Sequence, residues 1–183
     1  ECNIIATLPV FESGCHTFYA RRKTGGIVIR CLGIGVRHLV FTVMLPKIET
    51  MPYDKKFLDV NGRKIAYVDE GSGNPIVLLH GNPMSSFLWR NVAPELLASG
   101  RVIIPDLIGH GDSDKLPASM GPERYALEVA YDYLSGLLHR LDINANVTLV
   151  IHDWGSALGF MWAMRNSTAV KGVAYMEGIV APV

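Results

Sequence analysis

Residues 147–160 read VTLVIHDWGSALGF: an apolar run rich in β-branched residues, then a sharp turn, then a glycine-punctuated helix with no residue to spare between them. A turn of this kind is the nucleophile elbow, G-x-S-x-G, which lifts its nucleophile above the end of a strand. Asp153 stands where the serine of that pattern would be. The element before the elbow is apolar on successive residues, as a strand buried on both faces must be. It therefore calls for neighbouring strands and for helices on both sides of the sheet.

The chain supplies them. FLDV (57–60), Asn61-Gly62 and KIAYVDEG (64–71) form a hairpin signal, since Asn-Gly tolerates positive φ at both turn positions. IVLLH (76–80) is a continuous apolar run, followed by the loop GNPMSS and a helical pattern from Phe87 to Ser99, with Leu88, Val92, Leu96 and Leu97 on one side. RVIIPD (101–106) is a strand, and Pro122 suits the first residue of a helix reaching about Leu141. A strand over 147–153, a helix over 155–166 and a strand over VKGVAYME (170–177) complete the order. The alternation predicts an α/β fold, a mostly parallel sheet with an antiparallel hairpin at its start and right-handed crossovers.

Ligands of such sheets gather at the carboxyl ends of the strands. His80-Gly81-Asn82, Asp153-Trp154 and Glu177 each lie at or just past such an end. With neighbouring strands about 4.8 Å apart, Asp153 and Glu177 fall within the span of one site.

Lys and Arg (17) balance Asp and Glu (17), so no net field draws the chain to nucleic acid or to an anionic membrane. The expected partner is a small neutral molecule. The three cysteines, Cys2, Cys15 and Cys31, are odd in number and lack metal-ligand spacing, and they read as free thiols. Residues 1–50 are an unassigned N-terminal extension, and the domain is expected to begin at Met51. GGIVIRCLGIGVRHLVFTVML (25–45) is apolar enough to suggest a membrane span, but Arg30 and Arg37 each cost about 2.5–3.5 kcal/mol inside one. No cleavage site follows. The expectation is a cytoplasmic protein without a membrane partner, metal or cofactor.

An aspartate at the elbow is anionic at neutral pH without help from a base, because its reference pKa is about 3.9. It suits displacement at saturated carbon, which leaves an alkyl ester; water attacking the ester carbonyl then frees an alcohol and restores the carboxylate. Elbow folds stabilise the oxyanion of that second step with the backbone N–H after the nucleophile and one from the loop after the third strand, here Trp154 and Asn82. The indole N–H and the carboxamide N–H groups of the same residues are donors suited to a departing halide.

Together HGNPMSSFLWRNVAPEL, DLIGHGDSDK, VIHDWGSALGF and VKGVAYMEG resemble the haloalkane dehalogenases of the α/β-hydrolase fold, from about Met51 to Val183. The resemblance implies hydrolytic cleavage of carbon–halogen bonds, with a halogenated alkane, a halide ion and water as the partners. It implies Asp153 as nucleophile, Asn82 and Trp154 as halide ligands, and Glu177 as the acid supporting a catalytic histidine. Epoxide hydrolases resemble it in the Asp-Trp elbow but typically carry an aromatic where Asn82 stands. A non-catalytic fragment is the alternative outside the enzymes.

Plainer readings stand beside these. Asp153 can cap the following helix, Trp154 can be a packing aromatic, Asn82-Pro83 is a turn signal, and Glu177 can be a solvated strand end. His80 and His152 read as structural, and His110, Asp112 and Asp114 as a polar loop rather than a metal cluster. In the family the catalytic histidine and a helical cap lie beyond the sixth strand. Only the first six strands of that fold are expected here, and none of His80, His110, His139 and His152 occupies that histidine's place. The expected outcome is one alkylation of Asp153 without turnover, in a chain whose sixth strand leaves VAYM as an exposed, aggregation-prone edge.

Overall fold

The computed structural model describes residues 48–179 throughout, and before them the backbone of four strands, β1 (Asn3–Leu8), β2 (His16–Lys23), β3 (Gly26–Leu32) and β4 (Val40–Val43). Six further strands follow: β5 (Lys56–Val60), β6 (Arg63–Glu70), β7 (Pro75–Leu79), β8 (Arg101–Pro105), β9 (Val147–His152) and β10 (Val170–Met176). All ten join one sheet in the order β4-β3-β2-β1-β10-β9-β7-β8-β6-β5. Strands β10, β9, β7 and β8 are parallel, while β6 and β5 run antiparallel at one side. The β5–β6 hairpin turns on Asn61 and Gly62, both at positive φ as the Asn-Gly pair allows.

Side chains of the parallel strands alternate between two apolar clusters. Val77, Leu79, Ile103, Leu149 and Ile151 pack on one face against Leu134, Leu137 and Leu138 of α2 (Leu127–Arg140) and Leu158 and Trp162 of α3 (Trp154–Arg165). Ile76, Leu78, Val102 and Ile104 pack on the other against Trp89 and Ala93. Two covered faces explain the continuous apolar runs, as expected for interior parallel strands.

Three expectations need correction. The pattern over 87–99 is not one helix: a 3-10 turn, Ser86–Trp89, is followed by a single α turn, α1 (Ala93–Leu96). Pro94 sits at its first turn, where its ring fits, but it has no N–H to give to a preceding turn, so the apolar spacing overstates the helix. Similarly, Pro122 opens only a 3-10 turn, Pro122–Tyr125, and α2 starts at Leu127 after an extended Ala126 (ψ 154°). That break lets the Tyr125 hydroxyl accept the Leu116 N–H at 2.7 Å.

The third correction concerns the edge of β10, where β1 runs antiparallel with Ile5 opposite Tyr175. The segment expected to be exposed thus has a neighbouring strand, drawn from the part of the chain assigned no role. The apolar stretch 25–45 contains β3 and β4, which pair with each other, and among the described residues no helix is long and apolar enough to cross a membrane. Cys2 and Cys15 lie outside the described residues, as does the side chain of Cys31.

Candidate active site

From β7 the chain goes to β8 on one side and then returns past it to β9 on the other. The crevice between β7 and β9 is therefore a topological switch point, where α/β sheets bind ligands. Asn82 follows β7 and Asp153 follows β9, and the fold brings both to this crevice.

Asp153 lies between the last residue of β9 and the first of α3, at φ 52° and ψ −125°. A non-glycine residue at positive φ stores about 1–3 kcal/mol of strain, and it persists only where its surroundings fix it. They do so closely. The Asp153 carbonyl accepts both the N–H of Ser156 (2.8 Å) and its hydroxyl (2.5 Å), and the Asp153 N–H donates to Met176 of β10 at 3.3 Å. The Asp153 side chain makes no capping hydrogen bond to α3, so the helix-cap reading fails. Its Oδ1 instead accepts the backbone N–H of Asn82 at 2.9 Å.

Two glycines make this approach possible. A Cβ on Gly81 would stand 2.1 Å from Asp153 Oδ1, and one on Gly155 would stand 2.4 Å from the His80 carbonyl oxygen. Side chains at either place would push the two strand ends apart.

Beside Asp153 opens a cavity of about 360 Å³, lined among others by Asn82, Trp154, His110, Tyr125, Leu107 and Leu158. It is bounded mostly by apolar groups with a few polar ones, the usual character of a small-molecule site. Asn82 and Trp154, paired by the sequence, do share it. His110 joins them unexpectedly: its Nε2 meets the Asn82 carboxamide oxygen, and its Nδ1 lies 3.2 Å from the Ile108 carbonyl. The reading of 110–114 as only a polar loop missed this contact. The strand-end rule applied to RVIIP would have placed 107–110 on the same edge.

His80 is structural, as expected. Fully buried, it accepts the Leu107 N–H at Nε2 (3.0 Å), which leaves Nδ1 to donate to the Gly81 carbonyl (2.9 Å). Burial lowers its pKa to about 4, so the ring is neutral near pH 7. Asp106, also fully buried, receives the Ser86 N–H at 2.7 Å, the Asp112 N–H at 2.8 Å and Lys55 Nζ at 2.6 Å. Burial pushes this carboxyl up, but Lys55 and the two N–H groups outweigh it and hold the pKa below the ordinary value. Because Ser86 follows β7 and Asp112 follows β8, this one carboxylate fastens together the loops that carry Asn82 and His110.

Glu177 follows β10 at φ 48°, one residue past the register pair His152 and Met176. Its carboxylate is half exposed and meets His152 Nε2 at 3.0 Å. The acid expected to serve a later histidine thus has a histidine partner within the described chain, on the residue before Asp153.

Residues 74–182 match the alpha/beta hydrolase fold family. The chain belongs to that family. A haloalkane dehalogenase of Sphingobium indicum is 56% identical over 130 residues, covering 71% of this chain and 44% of that protein. The crystal structure of the haloalkane dehalogenase DatA from Agrobacterium tumefaciens superposes with a TM-score of 0.64 at 40% identity, covering 71% of this chain and 43% of that one. An epoxide hydrolase variant of Vigna radiata gives a TM-score of 0.61 at 28% identity, covering 68% and 38%. This α/β-hydrolase chain therefore spans less than half the length of these relatives.

Proposed function

We propose that this chain carries the carbon–halogen-cleaving half of a haloalkane dehalogenase, with a halogenated alkane as substrate. The observation that carries the reading is the Asn82 N–H on Asp153 Oδ1 beside a cavity lined by Asn82 and Trp154. With Oδ1 held, Oδ2 is the attacking oxygen. It forms a bond to the halogen-bearing carbon as the carbon–halogen bond breaks, and the halide leaves with the bonding pair between the Asn82 carboxamide and the Trp154 indole. Oδ1 becomes the carbonyl oxygen of the ester, so the donor on it is already in place for the oxyanion that water attack would create.

The water-activating step needs a base. Among the described residues no histidine hydrogen-bonds Asp153, and Glu177 is engaged by His152. The step that Asp153, Asn82 and Trp154 support is the alkylation of Asp153. The test is to incubate the 183-residue protein with 1-bromobutane, then measure bromide by ion chromatography and map the adduct by peptide mass spectrometry. One bromide per chain and a butyl group on the Asp153 peptide are expected. An unmodified Asp153 with no bromide release sinks the proposal.

Epoxide opening is a second reading, favoured by the likeness to the Vigna radiata enzyme. It predicts an adduct from 1,2-epoxybutane and none from the bromide. Asn82 counts for the dehalogenase, since a carboxamide can donate to a halide.

A further inference from the structure

We propose that His110 is a positioning residue that sets the orientation of the Asn82 carboxamide, turning its amide N–H groups toward the leaving halide. The inference deepens the reading above and rests on Asn82 being a halide donor.

The argument begins with donor arithmetic. A primary carboxamide has an acceptor oxygen and a two-donor nitrogen on the same planar carbon, and it can rotate to present either one. Only the nitrogen can serve a halide. Asn82 is exposed and lies within the turn that the Met84 N–H closes on the Gly81 carbonyl, so nothing in its own backbone decides between the two. His110 does decide. Its Nε2 meets the Asn82 oxygen, and an N–H there donates to it. With the oxygen held, both amide N–H groups are left for the cavity that Asn82 and Trp154 line.

The imidazole is held through its ring and its loop. It meets His80 edge-on with centroids 5.3 Å apart, and with the proton on Nε2 its Nδ1, 3.2 Å from the Ile108 carbonyl, has none to donate there. Its loop is tied through Asp112 to Asp106, which also binds Ser86 on the Asn82 side. The two loops thus keep a constant separation, which a directional bond between their side chains requires.

The experiment uses the whole 183-residue chain in two measurements. Long-range proton–nitrogen correlation spectra of histidine-labelled protein should show His110 Nε2 protonated, with its resonance shifted in Asn82→Ala. Bromide titration, followed by tryptophan quenching, should give a Kd about tenfold weaker in His110→Leu, the size of one net hydrogen bond, and within about threefold of wild type in His110→Gln, which keeps a donor. A wild-type Nε2 without a proton, or equal bromide affinity in His110→Leu and wild type, overturns the proposal. If His110→Leu fails to fold, the wild-type nitrogen spectrum decides alone. A wild type blind to bromide would overturn the halide reading of the site, while the spectrum would still decide whether His110 orients Asn82.

Discussion

The backbone N–H of Asn82 donates to Oδ1 of Asp153 at 2.9 Å, across 71 positions of sequence. Both residues stand just past the ends of adjacent parallel strands, and Gly81 leaves the space between them empty. In Gly81→Ala the new methyl would fall on the carboxylate oxygen. Asp153 must then rotate away, and its alkylation rate by 1-bromobutane should drop by about 10²-fold, the loss seen when one preorganised donor is removed. A rate within threefold of wild type would count against the alignment.

Trp154 lines the same cavity with a donor-only indole. Trp154→Phe keeps an aromatic ring and removes the N–H. If that N–H serves charge developing on the halide, bromide release should fall by about 10²-fold, with little change in the urea midpoint. Equal losses of rate and stability would make Trp154 a packing residue.

His80 gives a pH dependence of stability whose sign follows from its burial. Its pKa falls from 6.5 in the unfolded chain to about 4 in the fold. Between those values the unfolded state binds the proton and the native state does not. Stability is therefore complete above pH 6.5 and is lost as the pH falls toward 4, by roughly 3 kcal/mol at most. Urea midpoints from pH 7 to 4 should fall less steeply in His80→Gln than in wild type, and proton spectra should show the His80 ring still neutral at pH 5.

Asp106 contributes in a lower window. Its carboxyl sits below the ordinary 3.8, so its contribution is present above that value and is lost as the pH drops through the folded pKa. Asp106→Asn takes from Lys55 its buried partner and leaves it the exposed Asp112 carboxylate at 2.5 Å, so the loss at pH 7 should be about 2 kcal/mol, below the range for a buried charge left unpaired. Equilibrium urea unfolding at pH 7 measures it, and an unchanged midpoint would refute the role assigned to this carboxylate.

The parallel strands were legible because two-face burial writes itself as unbroken apolar runs, and the hairpin because Asn61-Gly62 is a turn with a mechanism. Asp153, Asn82 and Trp154 could be placed together because strand ends share one edge of the sheet. What stayed hidden depends on side chains meeting across long sequence distances. Neither the Asp106 tie nor the His110 contact leaves a periodic trace. Pro94 and Ala126 show the opposite failure, where apolar spacing ran on although Pro94 has no N–H to join its helical turn to a preceding one and Ala126 is extended. The partner of β10 was missed because residues 1–50 match none of the quoted motifs.

One consequence of the Asn82–Asp153 bond concerns the fate of atoms. It makes the two carboxylate oxygens inequivalent before any substrate arrives. In the proposed displacement, Oδ2 becomes the oxygen bonded to the alkyl carbon, and Oδ1 remains with the protein. If a base completes the cycle by directing water to the carboxyl carbon, the first alcohol released carries an oxygen that belonged to Asp153, and solvent oxygen replaces it in the side chain. In heavy-oxygen water the label would enter the enzyme one turnover before it entered the product.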